Sequence, residues 1–187
     1  GVKLHLPVFH VEAGLRSFNR SMPEEINRVL TDHAAEMLFC PTSTAVNNLQ
    51  AEGIEEGVFL TGDVMYDAAL YNAQLAEDKS DIMERLDLSS GDYYLATVHR
   101  PANTDNKENL GNIFQAFGEL DQILILPIHP RTRKALSIQG IAIPGNVQVI
   151  DPVGYLDMLT LEKNARAILT DSGGIQKEAY IFGVPCV

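Results

Sequence analysis

Four short runs in this sequence combine charge, glycine and turn signals in ways that could do chemistry. The first is His10-Val11-Glu12-Ala13-Gly14-Leu15-Arg16, where a carboxylate follows an apolar run and an arginine comes four positions later. A strand-end carboxylate that is partly desolvated can take or give a proton near neutral pH. The plainer alternative is a structural carboxylate held by Arg16 or by backbone amides. The second run is Pro23-Glu24-Glu25-Ile26-Asn27-Arg28. Glu24 and Arg28 are spaced as an i, i+4 pair, which as a solvated ion pair contributes about 0.3–0.5 kcal/mol. The sharper reading puts this face beside a ligand. The third run, Ala96-Thr97-Val98-His99-Arg100-Pro101, sets a histidine and an arginine where a β run stops at proline. Such a pair can grip a diphosphate. His129, in Ile128-His129-Pro130-Arg131, repeats the pattern.

The fourth run is the most specific: Leu169-Thr170-Asp171-Ser172-Gly173-Gly174-Ile175-Gln176-Lys177-Glu178. A strand runs into Ser-Gly-Gly and then a helix. The glycines let a phosphate approach the backbone, and the free N–H groups and dipole of the helix start favour an anion. Ser172 adds a hydroxyl. Glu178, one turn in, could accept both hydrogen bonds of a ribose cis-diol. The loop is neither a Walker A sequence nor Gly-x-Gly-x-x-Gly. A glycine turn serving only helix–sheet packing is the competing explanation.

The elements that must position these residues alternate along the chain. Strand-like runs are expected at Val8 to Val11, Met37 to Cys40, Val58 to Leu60, Tyr93 to Val98, Ile123 to Ile128, Val147 to Ile150 and Ala167 to Thr170. Between them lie helical patterns: one opening at Pro23, one capped by Thr42 and ended by Gly53, and others near 107–120, 131–138, 155–164 and 174–182. In the first, Ile26, Val29, Leu30, His33, Ala34 and Met37 form one apolar stripe, so that face should be buried, His33 with it as a core histidine. Strands alternating with helices predict an α/β protein with parallel sheets, whose ligands bind at the carboxyl ends of strands. The polar stretch 76–92 and the strand count on either side suggest a domain boundary near 62–80, giving domains 1–66 and 67–187.

Composition narrows the function. The 187 residues are 45% hydrophobic, enough for a substantial core. Lys+Arg of 14 against Asp+Glu of 25 gives a net charge of -11, which argues against a broad nucleic-acid surface. No apolar run approaches a membrane span. Two distant cysteines, Cys40 and Cys186, exclude a disulfide scaffold and a cysteine zinc site, and a reducing, cytoplasmic setting is expected. The start at Gly1 and the close on Gly183-Val184-Pro185-Cys186-Val187, which reads as the opening of another buried strand, suggest an internal piece of a longer protein.

Taken in order and spacing, the four runs resemble the UDP-N-acetylglucosamine 2-epimerase family over almost the whole chain. The resemblance implies two Rossmann-like domains facing a cleft in the glycosyltransferase-B manner, both incomplete here. It implies inversion at C2 of UDP-N-acetylglucosamine to give UDP-N-acetylmannosamine, by elimination of UDP and its re-addition. In that family's pattern Glu12 and Glu24 match the acid/base carboxylates, and His99 matches the histidine on the diphosphate. Ser172, Gly173 and Gly174 match the phosphate grip, Glu178 the ribose ligand, and Arg28 a site-supporting position. In some members the UDP-sugar also binds as an activator, through positions matching Glu24, Arg100 and His129. No metal or redox cofactor is implied, no nucleic-acid or membrane partner, and a homodimer is. A further proton-transfer aspartate would lie ahead of Gly1. The chain departs from well-known bacterial members at Pro101-Ala102 and Lys177, and in a shorter Glu12-to-Glu24 loop. The alternatives are a hydrolysing relative that releases free N-acetylmannosamine or a diacetamido sugar, a glycosyltransferase of the same fold, and a non-catalytic nucleotide-sugar sensor. The isolated piece is expected to be inactive.

Overall fold

The computed structural model describes residues 1–187, which divide into two compact units, Gly1–Ala68 and Ala69–Val187. The first unit holds β1 (Phe9–Val11), α1 (Pro23–Ala34), β2 (Met37–Cys40), α2 (Ser43–Ala51) and β3 (Val58–Leu60). The three strands form a parallel sheet in the order β1-β2-β3, with His10 opposite Leu38 and Cys40 opposite Leu60. Ala13, Leu38, Cys40, Ala45 and Leu49 make its core. Thr42 caps α2 by accepting the Ala45 amide at 3.1 Å.

Helix α3 (Val64–Lys79) runs across the unit boundary. The sequence reading placed no helix there. Its inner face is Ala69, Ala73 and Ala76, small residues that bury well but give little hydrophobic contrast.

The second unit continues with α4 (Ile82–Arg85), β4 (Tyr93–Thr97), α5 (Pro101–Thr104), α6 (Lys107–Gly118), β5 (Ile123–Pro127), α7 (Pro130–Gln139), β6 (Val147–Ile150), α8 (Tyr155–Asn164), β7 (Ala167–Thr170) and α9 (Gly173–Phe182). All four strands are parallel, in the order β6-β5-β4-β7. Both faces of this sheet are covered. One core gathers Phe114, Phe117, Leu124, Leu126 and Leu136, the other Tyr93, Leu95, Ile125, Leu161 and Ile168. Cys186 makes a parallel bridge to Ile168, as the strand-like closing residues suggested, although Cys186 itself is exposed.

The strand order positions the site. The chain lays down β4, β5 and β6 in one direction, then returns to place β7 on the other side of β4. Two loops therefore leave the sheet in opposite directions at the carboxyl ends of β4 and β7. That switch point is where open parallel sheets bind ligands.

One sequence expectation is overturned. The stripe on α1 is not the buried face: Ile26 and Leu30 are exposed, and His33 is exposed with its Nδ1 2.9 Å from the Val29 carbonyl. The buried residues of α1 are Glu25 and Asp32. They face inward because β1 and the loop after it offer them an imidazole, backbone amides and a guanidinium. Hydrogen bonding decides the orientation of this helix in place of apolar burial.

Candidate functional site

The first unit gathers carboxylates at the end of β1. Glu12 follows the last residue of β1 and has φ 68°, in the left-handed region that non-glycine residues rarely occupy. Such strain costs about 1–3 kcal/mol, and it persists only where the surroundings over-determine it. Glu12, Glu24, Arg28 and His10 line one pocket of about 340 Å³. The structure thus places the two glutamates singled out from sequence on one pocket, with Arg28 in the same lining. The expected Glu24–Arg28 ion pair is replaced: Arg28 Nε lies 3.5 Å from Glu25.

Arg16 is committed to two other carboxylates of this unit. Its guanidinium donates to Glu52 at 2.7 and 2.8 Å and to Asp32 at 2.6 Å. The hydrogen bond to Glu52 foremost, and that to Asp32, keep Arg16 protonated beyond its ordinary range despite partial burial. Asp32 is the organising group of this corner and was missed from sequence. Its carboxylate also accepts from the Gly14 amide at 3.1 Å and lies 2.5 Å from His10 Nδ1. Glu25 accepts the amides of Ser17 and Phe18 at 2.8–3.1 Å. Those bonds, the Ser17 amide first, hold its carboxyl below the usual range against the opposing effect of burial. The loop from Glu12 to Glu24 is therefore pinned by two buried acids of α1.

The second unit builds its site at the switch point. Asp171, the first residue after β7, accepts the His99 amide at 3.0 and 3.1 Å, the Arg100 amide at 2.8 Å and Asn103 Nδ2 at 2.9 Å. His99 Nδ1 lies 3.0 Å from the same carboxylate. Asp171 thus ties the β4 end to the β7 end and fixes the His99 ring through one nitrogen. The His129 ring at the β5 end stands 6.2 Å away, centroid to centroid. His129 also caps α7, its Nδ1 accepting the Arg131 amide at 3.2 Å.

Burial pushes the Asp171 carboxyl up. The hydrogen bonds from Asn103 and from the Arg100 and His99 amides, with the His99 charge, outweigh it and hold the group below its ordinary 3.8. A depressed carboxyl stabilises the fold above its unfolded value, and that stability is lost as pH falls through the folded value. Asp171→Asn is expected to cost about 2 kcal/mol at pH 7, since a carboxamide oxygen cannot serve these donors equally. The variant should also lose stability less steeply than the parent below about pH 4. Denaturant melts between pH 3 and 7 measure both, and unchanged melts would remove Asp171 as the organiser.

Ser172 caps α9, its Oγ accepting the Ile175 amide at 3.4 Å. Its hydroxyl hydrogen remains to be given. Gly173 opens the helix, and a Cβ built on it would meet nothing nearer than Arg100 Nη2 at 3.8 Å. Neither Gly173 nor Gly174 has a positive φ. The fold does not need glycine at 173, which weighs against the packing explanation for this turn. His99, Arg100, Asp171, Ser172 and Gly173 therefore meet around one helix N-terminus, where backbone N–H groups and the dipole favour an anion. Glu178 is buried one turn further on and accepts the Tyr155 hydroxyl at 2.8 Å through Oε1.

The UDP-N-acetylglucosamine 2-epimerase family model matches residues 1–187, and the chain belongs to that family. Over its whole length it is 56% identical to a UDP-N-acetylglucosamine 2-epimerase homolog of Methanococcus maripaludis, of which it covers 54%. It is 50% identical over 99% of its length to UDP-2,3-diacetamido-2,3-dideoxy-D-glucuronate 2-epimerase of Pseudomonas aeruginosa, covering 52% of that protein. The crystal structure of Methanocaldococcus jannaschii UDP-GlcNAc 2-epimerase in complex with UDP-GlcNAc and UDP matches at a TM-score of 0.88 and 49% identity. That match covers 99% of this chain and 54% of the other. The chain spans about half the length of these relatives. The α/β class with parallel-sheet units of the glycosyltransferase-B-like type, expected from sequence, stands.

Proposed function

We propose that the protein carrying this chain inverts C2 of UDP-N-acetylglucosamine, giving UDP-N-acetylmannosamine. The observation that carries this reading is the likeness to the M. jannaschii epimerase structure, which holds UDP-GlcNAc and UDP. In this reading residues 1–66 are the C-terminal part of an N-terminal Rossmann-like domain, and 67–187 are most of the nucleotide-binding one.

The C2–H bond has no neighbouring carbonyl, so its deprotonation needs another outlet for the electron pair. Elimination supplies one. A base takes the C2 proton, the C1–O bond breaks, and UDP leaves with that bonding pair, forming a C1–C2 double bond. Re-addition of UDP at C1 with a proton delivered to the opposite face of C2 completes the inversion. Glu12 and Glu24 are assigned the two proton roles, supported by their shared pocket. His99, Ser172 and the Gly173 and Gly174 amides are assigned the departing diphosphate. Glu178 is assigned the ribose and Arg28 the support of the carboxylate pocket. Arg100 and His129, with Glu24, are assigned a second UDP-sugar acting as activator. A homodimer and a cytoplasmic location go with the same reading. No helix is long and apolar enough to cross a membrane.

A second substrate is favoured by the P. aeruginosa relative, named for a UDP-sugar with a second acetamido group and a C6 carboxylate. Incubation of the complete protein with each UDP-sugar in heavy water, followed by proton NMR, tests both. The epimer with deuterium at C2 of both isomers is expected for the true substrate. Free sugar plus UDP would mean the hydrolysing reaction, and retention of the C2 proton in both would refute the epimerase reading.

Gly173→Ala probes the phosphate grip separately. With no contact below 3.8 Å, the thermal midpoint should stay within about 2 °C of the parent's. A methyl group where the diphosphate must approach should weaken UDP binding about tenfold or more. Unchanged UDP affinity by calorimetry would move the grip elsewhere.

A further inference from the structure

Glu162 is a buried acid that nothing above employs. It lies on α8 with its side chain fully enclosed, and neither carboxylate oxygen receives a hydrogen bond. An ionised carboxylate in that state would carry a large desolvation cost with no compensation. Tyr155, Leu159 and Glu162 are spaced i, i+4, i+7 and so share one face of the helix. Against that face packs α9, carrying the Glu178 carboxylate that accepts the Tyr155 hydroxyl. Two carboxylates can hydrogen-bond only if one of them carries a proton.

We propose that Glu162 is held as a neutral acid that donates its proton to Glu178, fixing the Glu178 carboxylate between Glu162 and Tyr155 for its ribose. Glu162 is thus a positioning residue for nucleotide binding. This rests on the assignment of Glu178 to the nucleotide. Burial first, and the Glu178 charge and hydrogen bond after it, push the Glu162 carboxyl up to about 9. The other titratable groups facing it are accounted for. Burial, then Glu178 and Glu162, push the Tyr155 phenol far above its ordinary range. Partial desolvation by its neighbours, then the Glu162 charge, raise the Cys186 thiol above its ordinary 9.0 although the residue is exposed overall. On α4, Arg85 is engaged with Asp157 at 2.8 Å and Asp81 at 3.2 Å, and Lys163 reaches Glu77 at 2.6 Å. The Tyr93 hydroxyl donates to the Leu161 carbonyl at 2.7 Å. The range from pH 6 to 9 therefore probes the proton on Glu162.

The sign follows from linkage. A carboxyl whose folded pKa lies above its unfolded value gives stability that is full below about 4.5 and is lost as pH rises toward about 9. The test uses the complete protein, its Glu162→Leu and Glu162→Gln variants, ligand-free thermal melts and UDP calorimetry from pH 6 to 9. Glu162→Leu should weaken UDP binding about tenfold, and Glu162→Gln, which keeps a neutral donor, should recover most of that loss at pH 7. The parent's thermal midpoint and UDP affinity should both fall toward pH 9, and Glu162→Gln should flatten both declines. Parent and Glu162→Gln melts with the same pH slope would overturn the neutral acid. A flattened melt with UDP affinity unchanged in Glu162→Leu would overturn the positioning role. If the parent binds no UDP at all, the nucleotide assignment fails, while the ligand-free melts still decide the proton on Glu162.

Discussion

Glu12→Gln is expected to cut turnover of the complete protein by about 100-fold to 10,000-fold, the usual contribution of a positioned acid or base. Glutamine keeps the shape and the hydrogen-bonding reach of the side chain but cannot accept and return a proton. UDP affinity should change little, because the nucleotide grip is assigned to residues of the other unit. The loss therefore belongs in kcat, with KM nearly constant. Deuterium incorporation at C2 should fall in step with turnover. The position is unusual enough to make this more than a generic mutation. A glutamate held at φ 68° strains the backbone, and Asp32 fixes the segment that follows by accepting the Gly14 amide. Glu12→Gly relieves that strain, so it should be at least as stable as Glu12→Gln and equally inactive. Such a combination marks a residue retained for chemistry over stability. If Glu12→Gln kept full turnover, Glu12 would be a structural carboxylate and the proton would need another carrier.

The seven strands were legible in the sequence because strands of parallel sheets read as short, continuous apolar runs bounded by turn residues. Their order was not. Nothing local distinguishes β7 beside β4 from β7 beside β6, yet that choice creates the switch point that brings His99 to Asp171. The same limit explains the missed acids. Asp171 works on partners 68–72 positions away, and Asp32 on partners 16–22 positions away. Their roles exist only after the fold does. Helix α1 shows a different failure. Hydropathy marked Ile26, Val29, Leu30 and His33 as the inner face, but the groove beneath the helix is lined with amides and Arg16, and it selects Glu25 and Asp32. A better signal was available in the helix itself: Glu25 and Asp32 are seven residues apart, two turns, and so share a face. Glu162 carried a similar clue, an acid two turns from Tyr155 on a face shared with Leu159. The glycines and prolines beside Glu12, His99, His129 and Ser172 mark those loops for attention in the sequence. Asp32 and Glu162 carry no such neighbours, because they lie within helices.

Gly14→Ala is expected to be the most destabilising single substitution considered for the first unit. Gly14 has φ 77°, and a Cβ built on it would lie 2.3 Å from the Ala45 carbonyl oxygen and 2.8 Å from the Ala45 carbonyl carbon. Both contacts are with backbone, so no rotamer change relieves them. The left-handed conformation alone costs alanine roughly 1–2 kcal/mol, and forcing apart a packed backbone adds about 1–3 kcal/mol. A loss of about 3–4 kcal/mol is a large part of the 5–15 kcal/mol typical of a whole domain. The surroundings enlarge the effect. The Gly14 amide donates to Asp32 at 3.1 Å, and the Gly14 carbonyl accepts Asn48 Nδ2 at 2.9 Å. Moving Gly14 away from Ala45 strains both bonds and loosens the Asp32 clamp on His10 and Arg16. Gly53→Ala is the control. Its φ is 80°, but nothing lies within 4 Å of a built Cβ, so only the conformational cost of about 1–2 kcal/mol applies. Denaturant unfolding of the two variants separates strain from collision. Gly14→Ala should lower the midpoint clearly further than Gly53→Ala and reduce turnover, because Glu12 is held by the same turn. Equal losses in the two variants would mean that α2 yields to the methyl group and that the close approach of Gly14 to Ala45 is incidental to the site.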